Sequence, residues 1–251
     1  MANKFTALLI AVLFTVMPAG IVSAEEELPP YNLRVDVTNQ FIYVYRLEPT
    51  EGGSEYVLMD YWACTSGAPG SSTPLGTYNM RPLSYSGNGD GEWYFFRMWS
   101  CWINYVTQFN GNCCFHSPPQ NTRGNYQRAS LSNIRQLLSA RSHGCIRVLP
   151  RQAAFVWFNM GGCKVEIFRG EATDETYAIR EDLQKTVPQS VGDYPDPMIT
   201  RKTKIWYTYH GDTAEKICEL SWITPEQLQE YNPGVDFGEE IPVGIAVRIR
   251  P

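Results

Sequence analysis

The segment Ser142-His143-Gly144-Cys145-Ile146-Arg147 concentrates the groups that acyl transfer requires. A thiol attacks a carbonyl only as its thiolate, so a catalytic cysteine needs a base or a positive charge beside it. The chain has three histidines, His116, His143 and His210. His143 stands two residues before Cys145, where its side chain crowds the loop. His116 ends the short run Cys113-Cys114-Phe115-His116, which reads as a strand, and a strand end can aim a side chain into a cleft. Ser117 follows and is placed to accept the His116 Nδ1 proton, leaving Nε2 for the thiol. Gly144 lets the backbone approach a reacting carbonyl. The N–H groups of His143 to Cys145 are candidates to hold an oxyanion, and Arg147 suits a bidentate grip on a carboxylate.

Residue types alone leave other readings open. A lone cysteine is most often a small buried apolar side chain. His116, His143 and Cys145 are also of the kinds that bind zinc. However, the Ser-His-Gly-Cys segment holds no carboxylate, and the chain has no Cys-x-x-Cys pair. His210 fits a surface turn and needs no role.

These groups must be held by something, and the chain offers mostly strands. Leu33, Val35 and Val37 alternate, as on a half-buried strand. Phe41 to Tyr45 forms a hairpin partner after Asn39-Gln40, with a turn region over Glu48 to Ser54. Tyr56 to Cys64, Thr77 to Met80, Glu92 to Met98, Trp102 to Thr107 and Cys113 to His116 continue the pattern, with a Gly/Ser/Pro loop over Ser66 to Gly76. Two helices interrupt it. Leu131, Ile134, Leu137 and Leu138 fall at helical spacing, and Pro150 opens a second helix that Gly161-Gly162 ends. The expected class is mainly β, a curved or barrel-like domain with two helices over residues 31–169. Residues 170–202 read as a proline-containing linker with one short helix near Tyr177 to Gln184. Residues 203–251 read as a small β-α-α-β unit with apolar faces at Ile217 and Leu228.

Lys4, the apolar run Phe5 to Val16 and the small-residue end Val22-Ser23-Ala24 have the form of a secretory signal peptide over residues 1–24. Nothing later is apolar enough to span a membrane, so the expectation is a secreted protein with no stable membrane span. Seven cysteines, an odd number, suggest a free thiol in an exported chain. A formal net charge of −5 argues against nucleic-acid binding, which needs a basic face.

The block Ser142-His143-Gly144-Cys145-Ile146-Arg147 resembles the signature of the L,D-transpeptidase (YkuD-type) catalytic domain. The resemblance extends to Cys64-Thr65-Ser66-Gly67, Thr73-Pro74-Leu75-Gly76-Thr77-Tyr78 and Phe115-His116-Ser117. It implies Cys145 as nucleophile, His116 as general base and acid, and Ser117 as its orienter. Ser142, His143, Gly144 and Arg147 fall in the oxyanion and substrate region, and neither a metal nor a cofactor is implied. Arg147 stands where many members have Asn. The stretch from His116 to Ser142 is long for the family. The implied activity is 3→3 cross-linking of peptidoglycan stem peptides in the cell wall. An L,D-carboxypeptidase on the same scaffold, or an inactive wall-binding protein, are the alternatives. Gly211-Asp212-Thr213, Thr224-Pro225-Glu226-Gln227-Leu228 and Asn232-Pro233 resemble a LysM module, which implies binding to N-acetylglucosamine in glycan strands.

Overall fold

Alternation puts Leu33 and Val35 on the buried face of β1 (Tyr31–Asp36), and the chain returns as β2 (Phe41–Thr50). The turn expected over Glu48 to Ser54 is much shorter. β3 (Gly53–Ala63) begins at once, pairing Gly53 with Thr50, because Gly53 takes φ +143° without a Cβ penalty. There follow β4 (Gly76–Asn79), β5 (Arg81–Pro82), β6 (Trp93–Phe96), β7 (Cys101–Asn104), β8 (Thr107–Asn110) and β9 (Cys113–His116). Then come α1 (Leu131–Ile134), β10 (Ile146–Arg147), α2 (Pro150–Asn159), β11 (Lys164–Phe168) and α3 (Asp174–Gln184). The chain ends with β12 (Ile205–Tyr207), α4 (Ala214–Ser221), α5 (Pro225–Tyr231) and β13 (Ala246–Arg248). The structure, a computed structural model, describes residues 28–83, 92–123, 131–189, 198–238 and 241–251. The expected signal segment lies outside them. Among the described residues no helix is long and apolar enough to cross a membrane.

The strands form two main open sheets rather than a closed barrel, ordered β3-β2-β1-β11-β4 and β10-β9-β8-β5. Leu33, Val35, Ile42 and Val44 of the first meet Phe109, Phe115 and Ile146 of the second in one buried core. β1 and β11 run parallel, and Arg34 on β1 pairs with its cross-strand neighbour Glu166 at 2.6 Å. Helix α2 starts with Pro150 at its first turn and is buried from Pro150 to Val156. The other expected helix is cut short. α1 ends at Ile134, and Leu138 takes φ +65°, which turns its N–H onto the Cys64 carbonyl at 2.7 Å. The apolar spacing there is real, since Ile134, Leu137 and Leu138 are all buried, but it serves a tight turn.

The 170–202 stretch carries α3, longer than expected. Thr173 caps it, accepting from the Thr176 N–H, and Asp174 and Glu175 sit in its first turn, where the helix dipole favours acids. Arg180 of α3 donates to the carbonyls of Asn39 (2.8 Å) and Leu138 (2.6 Å), and Leu183 packs beside Phe41 and Ala63.

The C-terminal unit has the expected β-α-α-β order, with β12 and β13 antiparallel and Thr213 and Thr224 capping the two helices. Its own core includes Trp206, Ile217, Leu228 and Val247. Its other face joins the main core: Ile205, Tyr207 and Tyr209 pack with Trp62 and Phe155. Gly244 lies where a Cβ would come within 2.5 Å of the Phe158 ring. The polar seam is also buried. Arg151 pairs with Asp212 at 3.0 Å, the two side chains being 3% and 0% exposed. Asp212 also accepts from Trp206 Nε1 (2.7 Å) and the Tyr209 N–H (2.9 Å). Asp212→Ala would remove the carboxylate facing the buried guanidinium, which also donates to the Tyr207 carbonyl, and breaking a buried pair in this way costs about 3–5 kcal/mol. The expected result is a lower melting temperature for the whole chain in one transition. An unchanged melting curve would show that the seam contributes little.

Candidate active site

The segment Cys64 to Gly67 is the frame on which the nucleophile loop hangs. Thr65 and Arg147 exchange both backbone hydrogen bonds at 2.9 Å. The Ser66 carbonyl accepts from the N–H groups of Arg141 (3.0 Å) and Ser142 (2.9 Å), and the Ala68 N–H donates to the Ser142 carbonyl at 2.9 Å. Gln40, itself at φ +64°, clamps the frame from the β1–β2 turn. Its amide nitrogen donates to Ser66 Oγ (2.7 Å), and its amide oxygen accepts from the Ser66 N–H (2.9 Å). Gly67 is required by space, since a Cβ there would meet the Ser71 carbonyl oxygen at 2.2 Å. Nothing in the local sequence around Gln40 marks it for this work.

Within the loop, Ser142 is buried and does two jobs. Its hydroxyl donates to the Cys145 carbonyl (2.6 Å) and accepts from the Gly144 N–H (3.1 Å). That ties up one of the three amides expected to face an oxyanion and leaves those of His143 and Cys145 as the candidates. Gly144 has φ +108°, and a Cβ there would also strike Cys113 Sγ at 2.9 Å, so both torsion and space demand glycine.

β9 and β10 are parallel, with Ile146 opposite Phe115 and Arg147 opposite His116. One step back along this ladder sets Cys145 beside Cys114. Alternation along β9 puts Cys114 and His116 on one face and Phe115 on the other, inside the main core. His116 is 5% exposed, and its Nδ1 lies 2.6 Å from the Ser117 carbonyl oxygen. A carbonyl can only accept, so Nδ1 carries the proton and the neutral ring keeps Nε2 as a base. The Ser117 group at Nδ1 is its carbonyl. Its hydroxyl instead accepts from the Asn104 N–H (3.0 Å) and donates to the Pro118 carbonyl (3.3 Å).

Cys145 is half-buried and its thiol is held well below the ordinary range. The largest cause is a hydrogen bond from the Cys114 thiol. Burial opposes ionisation, and His116 then favours it by hydrogen bond and by charge, with a smaller contribution from the Cys114 backbone N–H. Cys114 shifts upward in turn, as the member of the pair that keeps its proton. The two sulfurs also converge on the Asn112 carbonyl oxygen, at 3.7 Å from Cys145 and 3.9 Å from Cys114. Sequence reading passed over Cys114, which looks like any buried cysteine; its position two residues before His116 on a strand was the available signal. Cys114→Ala is expected to move the pH profile of Cys145 alkylation by iodoacetamide upward, giving slower reaction at neutral pH. Cys114→Ser keeps a donor and should move it less. Coincident profiles for all three proteins would remove Cys114 from the account.

Arg147 reaches the same face. Its Nη1 donates to Gln136 Oε1 at 3.0 Å, while its buried Nε has no protein partner. A guanidinium is the group that grips a carboxylate with two parallel hydrogen bonds. His143 is exposed and stacks on Trp99, with ring centroids 4.1 Å apart and an interplanar angle of 27°. Trp99 comes from the connection between β6 and β7, whose tip also exposes Met98. The structure thus brings Cys145, His116, Ser117, Ser142, Gly144 and Arg147 together and places His143 at the rim. Among the described residues, no three His, Cys, Asp or Glu side chains are grouped so as to hold a metal ion.

A cysteine at a strand edge beside a tautomer-fixed histidine on the next strand supplies the kinds of group that thiol acyl transfer requires. The model of the YkuD L,D-transpeptidase catalytic domain matches residues 30–167, more than half of the chain. The chain belongs to the L,D-transpeptidase family. Solved structures with some likeness include an L,D-transpeptidase from Stackebrandtia nassauensis, at 17% identity and TM-score 0.39, covering 61% of this chain and 62% of that one. L,D-transpeptidase 3 from Mycobacterium tuberculosis, in complex with a faropenem-derived adduct, has 16% identity and TM-score 0.36, covering 55% and 60%. A fused Zn-dependent amidase/peptidase/peptidoglycan-binding domain-containing protein from Clostridium acetobutylicum has 23% identity and TM-score 0.38, covering 55% and 52%. The chain therefore spans between about half and three fifths of the length of these structures. No curated protein matches it. The family assignment rests on the domain model.

Proposed function

We propose that this chain is an exported peptidoglycan L,D-transpeptidase that forms 3→3 cross-links through a Cys145 thioester. The observation that carries the reading is the pairing of a low-pKa Cys145 with His116, whose Nδ1 is tied to a carbonyl. The Cys145 thiol passes its proton to His116 Nε2, and the resulting thiolate attacks the carbonyl carbon between the third residue and the D-Ala of a tetrapeptide stem. The oxyanion collapses, the C–N bond breaks, and His116 gives its Nε2 proton to the departing D-Ala amine. The side-chain amine of a second stem then attacks the thioester, returning a proton to His116 as the sulfur leaves. Arg147 holds a stem carboxylate in this scheme. The steps draw on no metal or cofactor.

The alternative on the same scaffold is an L,D-carboxypeptidase, in which water takes the thioester. Incubation with purified tetrapeptide stems separates them by mass spectrometry. A dimer lacking one D-Ala is the expected product, tripeptide alone means hydrolysis, and unchanged stems mean a wall-binding protein without this activity. The C-terminal unit carries the glycan contact in this proposal, on its LysM-like residues. Retention of the full chain on insoluble sacculi, competed by N-acetylglucosamine oligomers, tests that contact. Retention unaffected by the oligomers would count against it.

A further inference from the structure

The C-terminal unit reaches the candidate base by an unbroken, buried route. Tyr209 follows β12 and is 1% exposed, and its hydroxyl accepts from Asn104 Nδ2 at 3.0 Å. Asn104 is fully buried at the end of β7, and its main chain grips Ser117 twice. The Asn104 N–H donates to Ser117 Oγ (3.0 Å), and the Ser117 N–H donates to the Asn104 carbonyl (3.1 Å). Ser117 in turn offers the carbonyl that accepts from His116 Nδ1 at 2.6 Å.

A second observation lies at the same place. Tyr105, the residue after Asn104, takes φ +54°, a region that a bulky aromatic residue rarely enters. Backbone held there persists only where its surroundings over-determine it. The surroundings include the C-terminal unit as well as Trp157 and Phe158 of α2 and the Glu92 carbonyl: the Tyr105 hydroxyl lies 2.6 Å from His210 Nε2, and its ring meets Tyr209 edge-on and His210 face-on. Consecutive residues Asn104 and Tyr105 are thus gripped by consecutive residues Tyr209 and His210.

We infer that Tyr209 is a positioning residue for the reaction, acting through Asn104 and the Ser117 carbonyl to fix the His116 ring, so that the C-terminal unit completes the catalytic site. The inference rests on His116 being the base. Hydrogen bonds along the route hold a ring whose orientation decides whether Nε2 meets the thiol, and small misplacements of a catalytic group are costly in rate. The Asn104 side-chain oxygen is buried without a partner, so the side chain's anchorage at this point depends on its amide nitrogen and Tyr209.

The test uses the full chain and the rate of Cys145 alkylation by iodoacetamide as a function of pH. Tyr209→Phe removes one hydroxyl and keeps the ring. The expected result is a profile displaced upward and a rate at neutral pH about fivefold lower, the worth of one hydrogen bond. Tyr207→Phe is the control: it removes the buried hydroxyl that donates to Asp60 at 3.0 Å, in the same unit but off the route. Its melting temperature should fall while its pH profile stays in place. If Tyr209→Phe does not fold, Asn104→Ala reads the same route. A profile unchanged in the folded Tyr209 or Asn104 variant, or displaced equally by Tyr207→Phe, overturns the inference. His116→Ala run alongside separates the two levels. An unaltered rate in that variant removes His116 as the base, whereas a slowed His116→Ala with an unmoved Tyr209→Phe removes only the role of Tyr209.

Discussion

Replacing Cys145 by serine is expected to abolish turnover of tetrapeptide stems and covalent labelling by a carbapenem. The environment is built for sulfur. Cys114 first, and then His116, hold the Cys145 thiol well below its ordinary range, which favours the thiolate. A serine hydroxyl starts far above any pKa that one histidine and one weak thiol donor can bring into range, so almost none of it ionises. The fold should be unaffected, because serine is close in size and Ser142 still braces the loop through the residue's backbone carbonyl. Intact-mass spectrometry after incubation with carbapenem reads the result directly. An adduct on the serine variant at a comparable rate would place the nucleophile elsewhere.

The second large effect is expected at His116. His116→Ala should slow acylation by about 10²–10⁴-fold, the usual worth of a positioned general base. His143→Ala should have a much smaller effect, because that ring stacks on Trp99 at the rim. The pH dependence adds a signature. Cys145 is depressed partly by His116, so the variant's thiolate forms at higher pH, and its alkylation rate should climb later along the pH axis than the parent's. Single-turnover labelling across pH measures both quantities. A neutral-pH rate equal to the parent's would end the role assigned to His116.

Much of the candidate site is legible in the sequence, for physical reasons. Short aromatic and β-branched runs have few ways to bury themselves, so the strand Cys113 to His116 was readable to the residue. The Ser-His-Gly-Cys block is dense in chemistry over a short span. What escaped was everything that depends on residues distant in sequence. Gln40 looks like a turn residue and becomes a clamp only when Ser66 arrives beside it. Cys114 looks like a core cysteine until β10 lays Cys145 alongside. The helix expected from Leu131 to Leu138 stopped early because the Cys64 carbonyl draws the Leu138 N–H into a turn. The docking of the C-terminal unit escaped for the same reason. Tyr207 and Tyr209 alternate as any strand would, and alternation does not say which surface they will bury against.

The parallel pairing of β1 with β11 has a consequence for how the molecule is made. The Arg34–Glu166 contact spans 132 positions, and the intervening chain contains Cys145, His116 and the frame that holds them. Parallel, non-local pairing is slow to form, because the entropy of closing a long loop is lost before the contacts reward it. A chain emerging in order from a ribosome or a translocation pore cannot complete its central sheet until residue 168 is free. The last 50 or so residues must then dock before Asn104 and Tyr105 are gripped. Cys145 and His116 are brought together late, by contacts that reach them from both ends of the chain. Thiol reactivity is expected to appear in step with global refolding, with no reactive fragment preceding it.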